Sequence, residues 1–376
     1  MAQVDVPLRP PTVTLSAPHV RDAMSVRTAM NLFIMSLIPP TAVAVYNTGY
    51  QANLAMERLG VGAAPGWRGQ VINLLGTGYD TAAPWAAIVH GAVYFLPALL
   101  VVFAAGAIWT WMFAVGRRRQ VGPGVLGIAL VVTLMLPPTI PLWLAALGMS
   151  FGIVLGREIF GGFGRNVLNP AVVALAFLHV AYPVEMMADW IWVPVEGYVD
   201  ATPLEIAQQG GLAALAEARV TWMDAFLGNI PGGFGETSAL AAVIGAALLL
   251  WTGLASWRVI AGLVLGAVAT AMAFGVGGDG NASIFALPWA WHLVLGSVAF
   301  GAVYMASDPV TAATTDTGRW IYGLLIGVLA IVIRVAGPAH AEGMVFAILL
   351  GNIFAPAIDY AVIWANIRRR ARRHAR

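Results

Sequence analysis

Long apolar stretches alternate along this chain with short connectors rich in glycine, proline or arginine. Ten of these stretches have the length and character of membrane spans: 28–47, 84–115, 122–138, 141–158, 168–183, 237–253, 257–275, 286–306, 319–336 and 342–364. A hydrocarbon core of about 30 Å needs roughly 20 apolar residues in a helix. The fourth and fifth stretches are short and contain or follow prolines and glycines, which predicts broken or re-entrant helices. The pattern predicts an all-α polytopic membrane protein of about ten helices. It divides into an N-terminal arm (1–27), a first five-helix group (28–183), a loop (184–236), a second five-helix group (237–364) and a basic tail (365–376).

Composition supports this picture. Of 376 residues, 60% are hydrophobic and 10% are charged, against roughly a quarter charged in soluble domains. There is no cysteine, which removes disulfides and thiolate ligands for an iron–sulfur cluster. Six scattered histidines argue against haem or a metal cage. The first 20 residues carry no signal-peptide pattern. Every basic residue is arginine, and 16 of the 20 fall on one face of the ten-span topology. By the positive-inside rule that face is cytoplasmic, with both termini inside. The net charge of +2 reflects these flanks and implies no nucleic-acid partner. The arginine tail reads as a topology anchor in contact with lipid.

The loop 184–236 then lies outside, together with 48–83. It carries eight acidic residues against the single Arg219. Within it, Asp200-Ala201-Thr202-Pro203 is a good helix start, since Asp and Thr both cap helices well. Residues 203–218 predict an interfacial helix interrupted by Gly210-Gly211.

An internal echo links residues 140–152 with 287–301. Each is followed by a polar stretch: GREIFGGFGRNVLNP in the first half, SDPVTAATTDTGR in the second. Five spans per half require two inverted repeats, a plan in which broken helices meet near the midplane. Polar backbone at that depth is costly unless it lines a cavity. Asn166 and Asn169 each offer an amide donor and acceptor, suited to a flat heteroaromatic ring or, equally, to capping helices. Asp308 before Pro309 is an intramembrane functional candidate or an N-cap. Asp359 inside the last span is a stronger ion-path candidate, with Arg334 as counter-charge unless it snorkels outward. Glu236 reads as a helix-dipole partner. His90 and His292 read as satisfied bundle histidines.

Several long blocks in order carry a resemblance: HVRD at 19–22, LPPTIPLW at 136–143, GREIFGGFGRNVLNP at 156–170, TWMDAFLGNIPG at 221–232, ASDPVTA at 306–312 and EGMVFAILLGNIFAP at 342–356. Through them the chain resembles the B subunits of Na+-translocating NADH:quinone reductases, whose relatives include the D subunits of Rnf complexes. The resemblance implies ten helices in an inverted repeat, a bacterial inner-membrane location and a six-subunit complex that passes electrons from NADH to quinone while exporting Na+. It implies FMN attached by a flavin transferase to an outer threonine, matched by Thr202, with Asp200 in the attachment motif. It implies noncovalent riboflavin near Asn166 and Asn169, and a quinone region at Gly106. No residue is implied as a catalyst or a metal ligand, and Asp308 and Asp359 stand as candidates for the Na+ path. Three positions depart from the family pattern. The attachment motif, usually Ser-Gly-Ala-Thr, reads Val199-Asp200-Ala201-Thr202; the second quinone-region glycine is Ala107; and an acidic residue of the second span is Thr110. A ferredoxin:NAD oxidoreductase D subunit, or a flavin-free channel or transporter on the same scaffold, are the alternatives.

Overall fold

The computed structural model describes residues 24–276, 284–337 and 343–374, and these are helical with no strand. The HVRD block and most of the N-terminal arm lie outside the described residues. Among the described residues, five helical stretches are long and apolar enough to cross a membrane, and three shorter apolar helices accompany them. Large apolar side chains such as Leu100, Trp111, Trp251 and Ile353 are exposed on the outer surface, as expected of helices that face lipid.

The first stretch is two helices, α1 (Val26–Ser36) and α2 (Ile38–Leu59), joined at Leu37. Pro39 and Pro40 sit in the first turn of α2, where a missing N–H costs nothing. The sequence reading ends this span at 47, but α2 continues through polar residues to Gly60, whose φ of 68° closes it. Asn47, Gln51 and Asn53 are buried there; Asn47 Nδ2 donates to the Ile230 carbonyl and Asn53 Oδ1 meets His90 Nδ1 at 2.7 Å. Internal hydrogen bonding makes this polar stretch helical, where its composition suggested a loop. The connector after it holds a further helix, α3 (Gly66–Leu75).

α4 (Pro84–Gly116) is a full-length span, about 50 Å long at 1.5 Å per residue. Two of the next three spans are half-helices. α5 (Val125–Leu134) and α7 (Pro170–Ala181) rise only about 15–18 Å. Between them α6 (Leu142–Ile153) runs into a π-helical turn, Val154–Glu158. The loop after the fifth span contains α8 (Pro183–Met187), α9 (Pro203–Glu217) and α10 (Trp222–Leu227). α9 breaks at Gly210 and Gly211 as its sequence predicts, with φ 59° at Gly211.

The sixth span is another half-helix, α11 (Ala239–Trp251). The chain entering it covers the open end of α5: Phe234 and Gly235 donate backbone N–H to the carbonyls of Leu136 and Leu134. The last carbonyls of a helix have no partner of their own, so two half-helices end at this depth without stranding polar backbone. α12 (Trp257–Gly275) is continuous. The eighth span is broken into α13 (Trp289–Val294) and α14 (Val298–Gly301), and it too ends in a π-helical turn, Ala302–Ala306. The two segments that echo each other in sequence therefore finish in the same way. α15 (Asp316–Ala336) and α16 (Gly343–His374) complete the bundle.

Two glycine seams hold the long helices together. Gly49 and Gly91 press α2 against α4 so closely that a Cβ on either would collide with the other helix's backbone. Gly262 and Gly266 on α12 face Gly323 and Gly327 on α15 in the same manner. Small residues four apart let membrane helices approach to backbone contact, which replaces the hydrophobic drive that lipid abolishes.

Candidate functional site

Two cavities matter here: one reaches the C-terminal end of α15 at Arg334 and Val335, and the other lies beside residues 307–310, which precede α15. The larger, of about 630 Å³, is bordered by Thr202, Trp192, Thr237, Phe285 and Arg334 and by the carboxylates of Asp189, Glu205 and Glu236. The smaller, of about 120 Å³, is bordered by Phe33, Arg157, Asn166, Asn169, Tyr304 and Asp308.

Thr202 caps α9. Its hydroxyl accepts from Glu205 N–H at 3.3 Å, and the Glu205 carboxylate accepts from Thr202 N–H at 2.8 Å. This reciprocal box fixes the threonine oxygen at the positive end of a helix dipole. Burial raises the Glu205 carboxyl above its ordinary value, against the pull of its bonds to Thr202. Asp200 faces the other way. With Arg58, Ala201 and Arg219 it borders a separate cavity of about 450 Å³. Arg58 donates to the Tyr198 hydroxyl at 2.7 Å, and that hydroxyl donates to Asp200 at 3.2 Å. The acid in the altered motif is thus tied down by an arginine relay, and burial raises its carboxyl.

Arg334 neither snorkels nor pairs with Asp359. It is 1% exposed and donates to the carbonyls of His292 (2.9 Å) and Leu295 (3.0 Å), where α13 ends. A guanidinium's fork of donors suits two orphan carbonyls. Asp359 sits at the other end of α15. Its two oxygens accept from the backbone N–H and hydroxyl of both Thr314 and Thr315, at 2.6–3.0 Å. The sequence places this carboxylate among apolar neighbours, whereas the fold gives it four donors at a helix start. Glu236 is likewise local, accepting from Gly233 N–H at 2.9 Å.

At the smaller cavity, Asn169 is the N-cap of α7. Its Oδ1 accepts from Ala171 N–H at 2.9 Å and its Nδ2 donates to the Met305 carbonyl at 3.3 Å, at the end of the second π turn. Asn166 Nδ2 donates to the Leu168 carbonyl, and Asp308 accepts from Val310 N–H and the Thr311 hydroxyl. The capping reading holds for Asn169, and the same residues also wall the cavity. Gly106 borders neither cavity. It lies on α4 against Met149 and Val125, and its carbonyl accepts from Thr110 Oγ1 at 2.8 Å.

The residue that sequence reading passes over is Arg157, which looks there like one more topology charge. It is 1% exposed in the first π turn. Its Nε and Nη1 have no hydrogen-bond acceptor in the protein. An arginine among glycines carries no sequence signal of burial. His90 and His292 are buried, and among the described residues no group of His, Asp or Glu is arranged to hold a metal ion.

The sequence profile of the NQR2, RnfD, RnfE family matches residues 13–368. The B subunit of the Na(+)-translocating NADH-quinone reductase from Pseudomonas paraeruginosa is 47% identical over 368 residues, covering 97% of this chain and 91% of that relative. The protein of the same name from Chromohalobacter salexigens is 48% identical over 366 residues, covering 97% and 89%. Its namesake from Azotobacter vinelandii is 46% identical over 97% and 91%. The chain therefore belongs to the NQR2, RnfD, RnfE family.

Proposed function

We propose that this chain is the flavin-carrying membrane subunit of an Na+-translocating NADH:quinone reductase, set in a bacterial inner membrane with both termini cytoplasmic. The observation that carries the proposal is the Thr202 oxygen, fixed at a helix N-terminus on the edge of a cavity of about 630 Å³. That volume falls within the usual range of ligand pockets, roughly 300–1,000 Å³. The residues present fit a phosphoflavin. The Thr202 oxygen is the tether point, Trp192 and Phe285 supply apolar ring faces, the buried Thr237 hydroxyl has no partner in the protein, and Arg334 supplies positive charge.

When bound, FMN and riboflavin supply one-electron redox chemistry that this cysteine-free chain lacks. Thr202 would hold the FMN phosphate by an ester, so that occupancy no longer depends on affinity. The N-terminus of α9 would stabilise the phosphate charge. Asn166, Asn169 and Asp308 would border a noncovalent ring in the smaller cavity. A volume of about 120 Å³ holds a single ring, since an engineered cavity of about 150 Å³ accommodates benzene. A flavin there would present one ring to the cavity and leave the rest outside it; a quinone headgroup would fit whole. Gly106, where backbone packs tightly on Met149, would border the quinone region. Asp308 and Asp359 would lie on the cytoplasmic side of the Na+ path. The remaining subunits and the flavin transferase act as partners, and the relatives' names favour NADH and quinone over ferredoxin.

Flavin fluorescence of the chain in a denaturing gel, after co-expression with its transferase, tests this reading. A fluorescent wild-type band and a dark Thr202→Ala band are expected. Persistent fluorescence in Thr202→Ala would overturn attachment at this residue.

A further inference from the structure

Buried arginines are expected to have their donors satisfied. Arg157 is an exception among the described residues. It sits in the π turn Val154–Glu158, an element that recurs at functional sites. Its side chain is 2% exposed, and neither Nε nor Nη1 reaches an acceptor. The one nearby carboxylate is Glu158, 3.4 Å from Nε. That carboxylate is already claimed by Arg117, whose Nη1 lies 2.7 Å from Oε2 and whose Nη2 donates to the Glu158 carbonyl. Two guanidinium groups thus share one carboxylate, and the Arg157 donors beside the cavity stay unfilled. Phe163 lies under the Arg157 guanidinium at 5.5 Å and keeps it facing a space that Asn166, Asn169, Ser307 and Asp308 also border.

We propose that Arg157 is the ligand-binding cation of the small cavity, donating from Nε and Nη1 to the carbonyl oxygens of a six-membered ring. The ligand class follows from three features. The volume admits one ring. The walls are mostly apolar, from Phe33, Ile128, Val131 and Leu249. The unpaired groups are donors, which a ring bearing carbonyl acceptors satisfies. The dione ring of a flavin and the headgroup of a quinone share this chemistry. The proposal rests on the reading of this cavity as a redox-ring site, and it names the residue that grips the ring. Asn166 and Asn169 shape the wall, since their amide nitrogens already donate to backbone carbonyls.

The test uses the assembled membrane complex with Arg157→Gln. Covalent flavin in a denaturing gel reports assembly, acid-extractable flavin per covalent flavin reports the flavin arm, and KM for a short-chain ubiquinone reports the quinone arm. Loss of a charged hydrogen bond predicts a change of about ten- to a hundredfold in one arm. Extractable flavin falls if the ring is a flavin; KM rises with kcat held if it is a quinone. Arg157→Lys, which keeps the charge but loses the fork, recovers part of the loss. Neither arm moving in Arg157→Gln overturns the proposal. If that variant fails to assemble, Ala255→Leu fills the cavity without touching the ion pair, and unchanged binding there overturns it equally. A wild-type complex without extractable flavin defeats the flavin assignment alone and leaves the quinone arm to decide.

Discussion

The two cavities solve opposite problems. The larger is roomy, lined by carboxylates, and has one hydroxyl held at its edge by a capping box. A ligand there would be held chiefly by the tether, with Trp192, Phe285 and the Thr237 hydroxyl around it. The smaller is tight and apolar and has a cation with unfilled donors. A ligand there depends on shape and hydrogen bonds. On the proposed reading, one fold would provide an attachment point at one cavity and a binding site at the other.

The sharpest way to break this contrast is Thr202→Ala. Gel fluorescence should vanish entirely, while the lost cap costs α9 only about 1 kcal/mol and extractable flavin stays. Loss of both flavins together would show that the cavities are not independent. Next in size is Asn169→Leu. It removes a cap worth about 1 kcal/mol and the tie to Met305, so extractable flavin should drop several-fold with the Thr202 band unchanged. Unaltered flavin content would leave Asn169 a cap and nothing more.

Asp359→Asn probes the region just beyond the small cavity. An amide has a single acceptor oxygen, so it can serve Thr314 or Thr315 but turns its NH2 against the backbone N–H of the other, and thermal stability should fall by about 1–3 kcal/mol. Slower sodium-stimulated turnover in well-assembled complexes is the outcome expected of an ion-path residue; normal turnover would confine Asp359 to capping α15. The smallest effect concerns pH at the loop around Thr202. Burial raises Asp200 and Glu205, so the folded loop holds these protons more tightly than the unfolded chain. Its stability is greatest below the ordinary carboxylate values and falls as pH rises through the raised ones. Glu205→Gln retains the capping box and removes one of the two groups. Hydrogen exchange across 202–209, corrected for intrinsic rate, should then depend less on pH, by about 0.5 kcal/mol at neutrality. An unchanged pH profile would show that Glu205 does not titrate with the loop.

How much of this is legible in sequence depends on whether the signal is local. Apolar runs announce the continuous helices, and Gly210-Gly211 announces the break in α9. The Thr202 cap is readable because capping is a matter of neighbours. The half-helices are readable only in part: the short fifth stretch announces α7, whereas what ends α5 is a backbone partner at 234–235, about a hundred residues away. The polar second half of α2 reads as loop because Asn47 and Asn53 find their hydrogen-bond partners on other elements. Asp359 and Arg334 mislead for the same reason: each is satisfied by carbonyls or threonines distant in the chain. Arg157 is hidden by its type, since arginine near glycines at a span end looks like a flank.

The glycine seams carry a consequence for how the protein tolerates inheritance of error. At Gly91 or Gly327 one added methyl group would meet backbone, not a yielding side chain. A wedge there spreads through an entire helix pair, whereas many changes at a cavity wall are absorbed within it. Damage scans should therefore show two kinds of sensitive position, one set that loses cofactor and another that loses the whole protein. The second set lies far from any chemistry, on surfaces whose whole task is to have nothing on them.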